Sequence, residues 1–344
     1  MVDLNIGRAL GRSRVFVNAL GFGGNVLGNL YAPVDEVVAL DTVAAALELG
    51  VRYFDTAPLY GHGLSEHRLG QVLRRYARDS FVLSTKVGRL LKPHGKVAPP
   101  KLPPSEGGIF SDELPFTPVF DFTYDGVMRS IEDSQQRLGM NYIDVGIIHD
   151  ADEWTHKERF NERLEEVRIG ALPALQKLKE EGVIGAIGAG VNEAMACERL
   201  MDIGEFDCFL LAGRYTLLEQ GALDSFLPRA GREGVSIIIG APFNSGILAT
   251  GAVPQARYNY LPAPQQVLSR VALIERVCAT YGVPIAAAAL QFPLAHPAVV
   301  TVIPGAKSRA EVEANTRLMT HEIPPTFWSD LKSERLIPLD APTP

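Results

Sequence analysis

Four residues of complementary chemical type follow short apolar runs in the sequence. The segments FDTAPLYG (54–61), STKVG (84–88) and VGIIHD (145–150) carry Asp55, Tyr60, Lys86 and His149. Each residue alone has an ordinary alternative: a strand-end aspartate caps a loop, a Tyr-Gly pair makes a turn, and a lysine is solvated. Four such types at the ends of three successive predicted strands favour a catalytic group instead.

The chemistry that these types can perform together is proton transfer through a tyrosine. A phenol with a pKa of about 10 exchanges protons poorly near neutrality. We expect a neighbouring Lys86 to lower the pKa of Tyr60 by roughly two to three pH units, worth about 3–4 kcal/mol. Asp55 would keep that ammonium charged and in place, and His149 would orient a substrate oxygen. None of the four groups delivers a hydride, so a redox reaction here requires a nicotinamide.

These side chains need a scaffold that gathers strand ends at one place. Eight apolar runs alternate with helical patterns and are predicted to be parallel strands buried on both faces. They cover residues 20–23, 51–54, 81–84, 143–148, 183–187, 208–211, 235–239 and 299–303. Eight strand–helix units favour a closed (β/α)8 TIM barrel over an open doubly wound α/β sheet.

Three further segments complete the predicted architecture. A β-hairpin over residues 8–17 is expected to plug the barrel floor. Two long loops, 89–123 and 243–265, would follow the C-terminal ends of strands, where barrel enzymes keep their active sites. Loops of that length are typical of lids or insertions. No second domain is indicated, so the whole chain, 1–344, is assigned to one barrel domain.

Composition and motifs exclude several other classes. The chain is 47% hydrophobic and 21% charged, with a formal net charge of -7 and no basic stripe, so nucleic acid is not an expected partner. No run approaches the roughly 18 apolar residues of a membrane span, and no secretory signal is recognised. Three widely spaced cysteines fit a reducing compartment, so a cytoplasmic location is predicted.

Two tempting binding motifs fail on their spacing. The segment GFGGNVLG (21–28) lacks the third glycine of a dinucleotide-binding Rossmann fingerprint. His62 and His67 flank a glycine loop but have no third ligand at a recognisable distance, so no metal site is predicted.

The three catalytic segments resemble the tetrad motifs of the aldo-keto reductase family, and the similarity extends over essentially the whole chain. The resemblance implies that Tyr60 donates or accepts the proton, that Lys86 and Asp55 tune it, and that His149 orients the carbonyl. The segments LAGRYTLLEQ (211–220), AAAALQFPLAHPAV and VIPGAKS are similar to the branch that contains aldose 1-dehydrogenases, such as L-fucose (D-threo-aldose) dehydrogenase, and pyridoxal 4-dehydrogenase.

The resemblance also implies where the cofactor lies. The cofactor contacts are placed at Gly23, Gly24, Asp55, Asn192, Pro242, Phe243, Asn244, Ser245, Gly246, Gly305, Ala306, Lys307, Glu311 and Asn315. The chain departs from the family pattern at the carboxamide site, where Ala212 replaces a glutamine, and at the stacking position, where Gly240 replaces a tyrosine. The family also has Ser-Asn after its fifth strand, where this chain reads Gly190-Val191-Asn192. We expect Asn192 to take over the carboxamide contact and Phe243 to supply the stacking surface.

The identity of the cofactor is predicted from the region after the last strand. The family's NADP enzymes carry an arginine at the position of Glu311, and a carboxylate repels a 2′-phosphate but accepts a hydrogen bond from a 2′-hydroxyl. NAD is therefore the predicted cofactor, with weaker use of NADP because Lys307 and Arg309 lie nearby in the sequence.

The predicted function is NAD-dependent oxidation of an aldose such as L-fucose, D-arabinose or L-galactose at C1, which yields a lactone. Three alternatives stay open: pyridoxal 4-dehydrogenase, an NADPH-dependent carbonyl reductase, and a non-catalytic subunit that binds the cofactor. Trp154 and His156 lie just past His149 and are candidates for the substrate pocket, and for each of them a peripheral packing role is an equally good explanation. The partner is a small molecule, and the oligomeric state is not readable.

Overall fold

Strands that are apolar on both faces form the centre of the fold. The structure, a computed structural model, describes residues 6–97, 100–103 and 108–344. Eight parallel strands pair with their neighbours in chain order. They are β1 (Phe22–Gly23), β2 (Tyr53–Asp55), β3 (Val82–Val87), β4 (Ile143–His149), β5 (Ile184–Val191), β6 (Cys208–Ala212), β7 (Ser236–Gly240) and β8 (Val299–Ile303).

The sheet closes between its first and last strands. The amide nitrogen of Gly21 donates to the carbonyl of Val302 at 2.9 Å, and that of Gly23 donates to Pro304 at 3.0 Å. An open doubly wound sheet would leave these two edges apart. The predicted (β/α)8 barrel is therefore confirmed, although the strand ends differ by a few residues from those predicted.

Helices surround the barrel, and capping residues mark where they begin and end. Asp35 accepts hydrogen bonds from the amides of Val37 and Val38, and Gly139 ends a helix at a φ of 67°. The helices that alternate with the strands are α1 (Glu36–Glu48), α2 (Leu64–Leu73), α3 (Tyr124–Leu138), α4 (Leu172–Glu180), α5 (Ala194–Ile203), α6 (Phe226–Glu233), α7 (Ile285–Gln291) and α8 (Arg309–Met319). Further helices span Glu153–His156, Phe160–Glu166, Ile247–Thr250, Gln265–Tyr281 and Pro325–Ser333.

The N-terminal hairpin closes the floor of the barrel, as predicted. Its strands Arg8–Ala9 and Phe16–Val17 pair antiparallel. Leu10 and Val15 pack inside the barrel in one buried cluster with Tyr53 and other inward-facing strand residues. Because the floor is filled by side chains, the opposite end is the one left for ligands.

The two long loops are more ordered than the sequence predicts. Within 89–123, the strands Arg89–Pro93 and Phe116–Phe120 form an antiparallel pair. Within 243–265, the short helix Ile247–Thr250 is followed by the paired strands Arg257–Tyr258 and Leu261–Pro262. The sequence did not predict these short strands because prolines argue against a strand. An edge strand nevertheless tolerates a residue without an amide hydrogen. Residues 98–99 and 104–107 of the first loop lie outside the described part.

Within the described residues, no single helix is long and apolar enough to cross a membrane. Two helical segments, Gln265–Tyr281 and Ile285–Ala295, meet the length and composition criteria only jointly, across a bend of 102°.

Candidate active site

The four predicted catalytic residues come together at the end of the barrel opposite the hairpin. Residues two apart on a strand share a face, so Asp55 points inward above Tyr53 and Lys86 points inward above Ser84. Asp55 and His149 are the last residues of β2 and β4, and Lys86 is next to last in β3. Tyr60 lies in the turn after β2, where its amide donates to the carbonyl of Ala57 at 3.1 Å.

Lys86 and Asp55 form a buried ion pair. Lys86 Nζ donates to Asp55 Oδ2 at 2.6 Å and to the carbonyl of Thr56 at 2.9 Å. The relative exposures of the two residues are only 1% and 2%. The other carboxylate oxygen, Asp55 Oδ1, accepts from Ser84 Oγ at 2.7 Å. With both oxygens held, this carboxylate fixes the position of the ammonium.

Tyr60 lies directly against this pair. The Nζ atom of Lys86 is 4.6 Å from the centre of the Tyr60 ring, and the ring of His149 meets it edge-on at 5.9 Å. The tyrosine and the amine are thus neighbours at the same end of the barrel, as predicted.

The expected fall in the pKa of Tyr60 is not found. Burial raises the pKa of this phenol well above 10, and the carboxylates of Asp55 and Asp150 raise it further, while Arg89 opposes them. The physical reason is that Asp55 neutralises the ammonium at 2.6 Å, so little positive charge is left to stabilise a buried phenolate. Tyr60 therefore rests as a neutral phenol, which is a proton donor.

His149 rests in its neutral form. Burial, together with the positive charges of Lys86 and Arg89, lowers the pKa of this imidazole well below 6.5. A neutral imidazole donates one hydrogen bond. Its Nε2 atom lies 3.5 Å from Asp150 Oδ2, and its Nδ1 atom has no hydrogen-bond partner among the described residues. His149 can therefore donate to a substrate oxygen without changing the charge of the site.

Two connected cavities open at this end of the barrel. The smaller, which we call the reaction pocket, is lined by the polar Tyr60, Lys86, His149 and Asp150 and by apolar side chains such as Phe110. The larger, which we call the long cleft, runs from it towards the start of α8. Both are lined by Asn25, Leu30, Trp154, Asn192, Ala212 and Tyr260.

Most of the predicted cofactor contacts line the long cleft. They are Asn192, Pro242, Phe243, Asn244, Ser245, Gly246, Gly305, Lys307 and Glu311. At Gly246 the φ angle is 101°, and a Cβ atom would meet no protein atom within 4 Å. The missing side chain therefore leaves room for a ligand against the backbone. A long cleft with this bare backbone and the cationic Lys307 and Arg214 fits a dinucleotide cofactor.

Five predicted contacts lie elsewhere. Gly23 and Gly24 pack against neighbouring strand backbone, where a Cβ would lie 2.8 Å from the Ile303 carbonyl oxygen and 2.6 Å from that of Asp55. Ala306 and Asn315 face a separate small cavity beneath β1, and Asp55 is enclosed by its partners. Asn25 and Val26 line the cleft in place of the two glycines.

At the predicted carboxamide site, two carboxylates hold Asn192. Asn192 Nδ2 lies 3.1 Å from Asp152 Oδ2 and 3.3 Å from Asp150 Oδ1, and its backbone amide donates to Asp152 Oδ2 at 2.8 Å. These contacts engage the amide nitrogen and turn Asn192 toward the cleft, which Phe243 also lines. Gly240 lines neither cavity.

The charges at the start of α8 differ from the prediction in one respect. Glu311 lines the cleft, and one of its oxygens accepts from the Lys307 amide at 3.0 Å. Arg309 does not line the cleft, because its guanidinium pairs with Asp41 and Glu48 of α1, each at 2.7 Å. Arg309 is therefore committed to an exposed ion pair and does not favour a phosphate in the cleft.

The other candidate residues separate into pocket and packing roles. Trp154 lines both cavities, and its amide donates to Glu193 Oε2 at 2.8 Å. His156 instead packs edge-on against Phe120, with ring centres 4.4 Å apart. Within the described ranges, no group of three or more potential ligands is placed to hold a metal ion, and this includes the surroundings of His62.

Sequence reasoning missed several residues of the two cavities. Asp150 lines the reaction pocket beside His149, and a second carboxylate at a strand end was the available signal. Tyr260 enters both cavities from the strand pair 257–262, and Arg214 and Tyr31 line the long cleft. Arg214 follows the end of β6 by two residues, so a charged residue near a strand end was again the available signal. No local pattern marks Tyr31 and Tyr260, which lie in the segments after β1 and β7.

Comparison with known proteins gives consistent likenesses. A sequence model described as the aldo/keto reductase family matches residues 19–334. Pyridoxal 4-dehydrogenase from Microbacterium luteolum is 42% identical over 96% of this chain and 97% of that protein. D-threo-aldose 1-dehydrogenase from a Pseudomonas species is 39% identical, with coverages of 94% and 95%. The holo form of an aldo-keto reductase from Bacillus halodurans gives a TM-score of 0.73 at 26% identity, over 98% of this chain and 97% of that one.

Proposed function

Because the chain belongs to the aldo/keto reductase family, we propose that it is an NAD-dependent dehydrogenase that oxidises the C1 hydroxyl of a cyclic aldose to a lactone. Membership confirms the resemblance inferred from the motifs and makes the protein an oxidoreductase acting on CH–OH groups. The observation that carries the proposal is the placement of Tyr60 and His149 over a buried Lys86–Asp55 pair, beside the long cleft.

The proposed reaction divides its atoms between protein and cofactor. A nicotinamide held in the long cleft, against residues such as Asn192 and Phe243, would supply the hydride acceptor for C1. Tyr60 acts as the base in the fraction of molecules in which its phenol has lost its proton to solvent, and this fraction grows with pH. The hydroxyl proton passes to the phenolate oxygen of Tyr60, the C1–O bond becomes the lactone carbonyl, and His149 donates a hydrogen bond to that oxygen throughout. Lys86 and Asp55 hold Tyr60 in place and keep the site electrically neutral around it.

Replacing Tyr60 tests the catalytic assignment. Tyr60→Phe removes the proton-transferring oxygen and keeps the ring, so kcat should fall by roughly 100- to 10,000-fold, the usual worth of a general acid–base group. Cofactor binding, followed by quenching of intrinsic fluorescence, should be retained. Tyr215→Phe is a matched control, because Tyr215 is buried, its hydroxyl has no hydrogen-bond partner in the described part of the chain, and it lines neither cavity. A Tyr60→Phe enzyme with full rate would refute the mechanism.

The same experiment separates an enzyme from a non-catalytic cofactor-binding subunit. Such a subunit binds the cofactor stoichiometrically and shows turnover near zero in the unaltered protein. If the wild type turns over substrate at a measurable rate and Tyr60→Phe does not, the non-catalytic subunit is excluded.

The choice of NAD over NADP rests on Glu311. Its carboxylate lines the cleft, and Arg309, which would favour a 2′-phosphate, is occupied by Asp41 and Glu48. We expect kcat/KM to be higher with NAD, and Glu311→Gln to narrow the difference by removing the repulsion. A tenfold preference for NADP in the unaltered enzyme would refute this assignment.

A panel of L-fucose, D-arabinose, L-galactose and pyridoxal with NAD tests the substrate. Pyridoxal is the second candidate, because a relative named for it is 42% identical to this chain and pyridoxal also forms a cyclic hemiacetal. Carbonyl reduction with NADPH is the third, since a neutral Tyr60 is a proton donor at rest. Turnover of pyridoxal alone, or of carbonyl compounds alone, would replace the aldose assignment.

We also propose a reducing compartment, in keeping with a cytoplasmic location. All three cysteines, Cys197, Cys208 and Cys278, are buried free thiols.

A further inference from the structure

The reaction pocket contains a carboxylate that the proposed proton transfer does not use. Asp150 is the only acidic side chain among the described residues lining this pocket. It follows His149 with a φ of 52°, a left-handed conformation that is uncommon for residues other than glycine but better tolerated by aspartate. Its amide donates to the Gly190 carbonyl at 2.8 Å, which holds this turn in place.

A buried arginine anchors this carboxylate. Arg89 Nη2 donates to Asp150 Oδ2 at 2.7 Å, and the guanidinium carbon lies 4.0 Å from the centre of the Phe120 ring. Arg89 is only 2% exposed, whereas the Asp150 side chain keeps 13% of its surface open. A desolvated ion pair contributes little net stability, but the guanidinium holds the carboxylate at a fixed place. The open part of the pair is therefore its acceptor end.

Asp150 has acceptor capacity left for a ligand. An ionised carboxylate offers about four acceptor sites. Arg89 takes one of them, and Asn192 Nδ2 approaches the other oxygen at 3.3 Å. Oδ2 also lies 3.5 Å from His149 Nε2, so acceptor and donor stand side by side at the pocket. A ligand could bind both atoms at once, with one oxygen accepting from His149 and a hydroxyl group on the adjacent carbon donating to Asp150.

We propose that Asp150, anchored by Arg89, is a specificity-determining residue that binds the hydroxyl group on the carbon next to the reacting carbon. This inference rests on the proposed aldose oxidation. At C1 of a cyclic aldose, the neighbouring positions are the ring oxygen, which only accepts hydrogen bonds, and C2, whose hydroxyl donates. A carboxylate only accepts, so it pairs with the C2 hydroxyl and thereby fixes the orientation of the sugar.

Sugars that lack the C2 hydroxyl test the proposal in the unaltered enzyme. We compare kcat/KM for D-arabinose and 2-deoxy-D-ribose, which differ only at C2, and for L-fucose and 2-deoxy-L-fucose. A hydrogen bond to a charged group is worth roughly 10- to 100-fold in kcat/KM. The deoxy sugars should be poorer substrates by about that factor. If the enzyme oxidises both members of each pair equally well, the inference is overturned while aldose oxidation stands.

Asp150→Asn then assigns the discrimination to this residue. The variant should lose roughly 10- to 100-fold on the hydroxylated sugar, mainly as a rise in KM, and less than about threefold on the deoxy sugar. Equal losses on both sugars would mean that Asp150 acts by positioning His149 or by supporting the fold, which overturns the inference. Turnover of pyridoxal and of neither sugar would overturn the proposed function and the inference with it.

A matched control separates the loss of the Asp150 contact with the sugar from the general effect of removing an ion pair. Asp144 lies on the same strand at the floor end, where it pairs with Arg78. Asp144→Asn should leave the ratio of the two sugars unchanged, and thermal unfolding of both variants measures any loss of fold. A changed ratio in Asp144→Asn would overturn the assignment to Asp150.

Discussion

Replacing Asp55 by asparagine removes the carboxylate that faces the buried Lys86 ammonium. The side chain keeps its size, and an amide oxygen can still accept from Lys86 Nζ. Ser84 Oγ can rotate to accept from the new amide nitrogen, so the main change is the loss of one negative charge. The ammonium is then buried at 1% exposure without a counter-charge.

Two estimates limit the loss of unfolding free energy in Asp55→Asn. Breaking a buried ion pair from one side typically costs about 3–5 kcal/mol. The amine can escape by losing its proton, and neutralising an ordinary lysine at pH 7 costs about 4.6 kcal/mol, at 1.36 kcal/mol per pH unit below 10.4. We therefore expect the free energy of unfolding to fall by about 3–4 kcal/mol, which for a chain of 344 residues lowers Tm by roughly 4–6 °C.

Differential scanning calorimetry at two pH values checks this reasoning. At pH 9 the free energy needed to deprotonate an ordinary lysine falls to about 1.9 kcal/mol. The difference in stability between wild type and Asp55→Asn should therefore shrink to about half. The double variant Asp55→Asn with Lys86→Met removes both charges and should recover most of the lost stability. A single variant within about 1 kcal/mol of wild type, an equal gap at pH 9, or no recovery in the double variant would refute the account.

Three further predictions concern Tyr60, His156 and Gly28. Because burial and nearby carboxylates raise the pKa of Tyr60 well above 10, kcat/KM for oxidation should rise up to about tenfold per pH unit between pH 7 and 10; a plateau below pH 9 would contradict this. Burial lowers the pKa of His156 to about 4, so between about pH 6.5 and pH 4 the unfolded chain binds this proton and the folded protein does not. The free energy of unfolding therefore falls as the pH falls through this range, and the Tm of His156→Phe should drop less between pH 7 and pH 5 than that of the wild type. A Cβ at Gly28 would lie 2.4 Å from the Tyr60 carbonyl carbon, so Gly28→Ala should displace this turn and lower kcat at least tenfold in steady-state assays, whereas Gly231→Ala, with open space around it, should not.

The amino-acid sequence by itself determined the barrel and the positions of the four candidate catalytic residues. Strands apolar at nearly every position must be covered on both faces, and eight strand–helix units allow few closed arrangements. Asp55, Lys86 and His149 follow from this at once, because parallel strands bring their C-terminal ends to one mouth. Residues at strand ends are thus placed by local pattern and connectivity alone.

The loops and the charge balance were decided only by the tertiary structure. Arg89 and Asp150 are 61 positions apart, and Tyr260 reaches the pocket from the far side of the barrel. The ion pairs of Arg309 and the direction of the Tyr60 pKa depend on which distant charges lie within a few ångströms. Coulomb energy and desolvation vary steeply over such distances, and sequence spacing does not specify them. For this reason the grouping of the four candidate residues at one end of the barrel could be predicted, but the direction of the Tyr60 pKa shift could not.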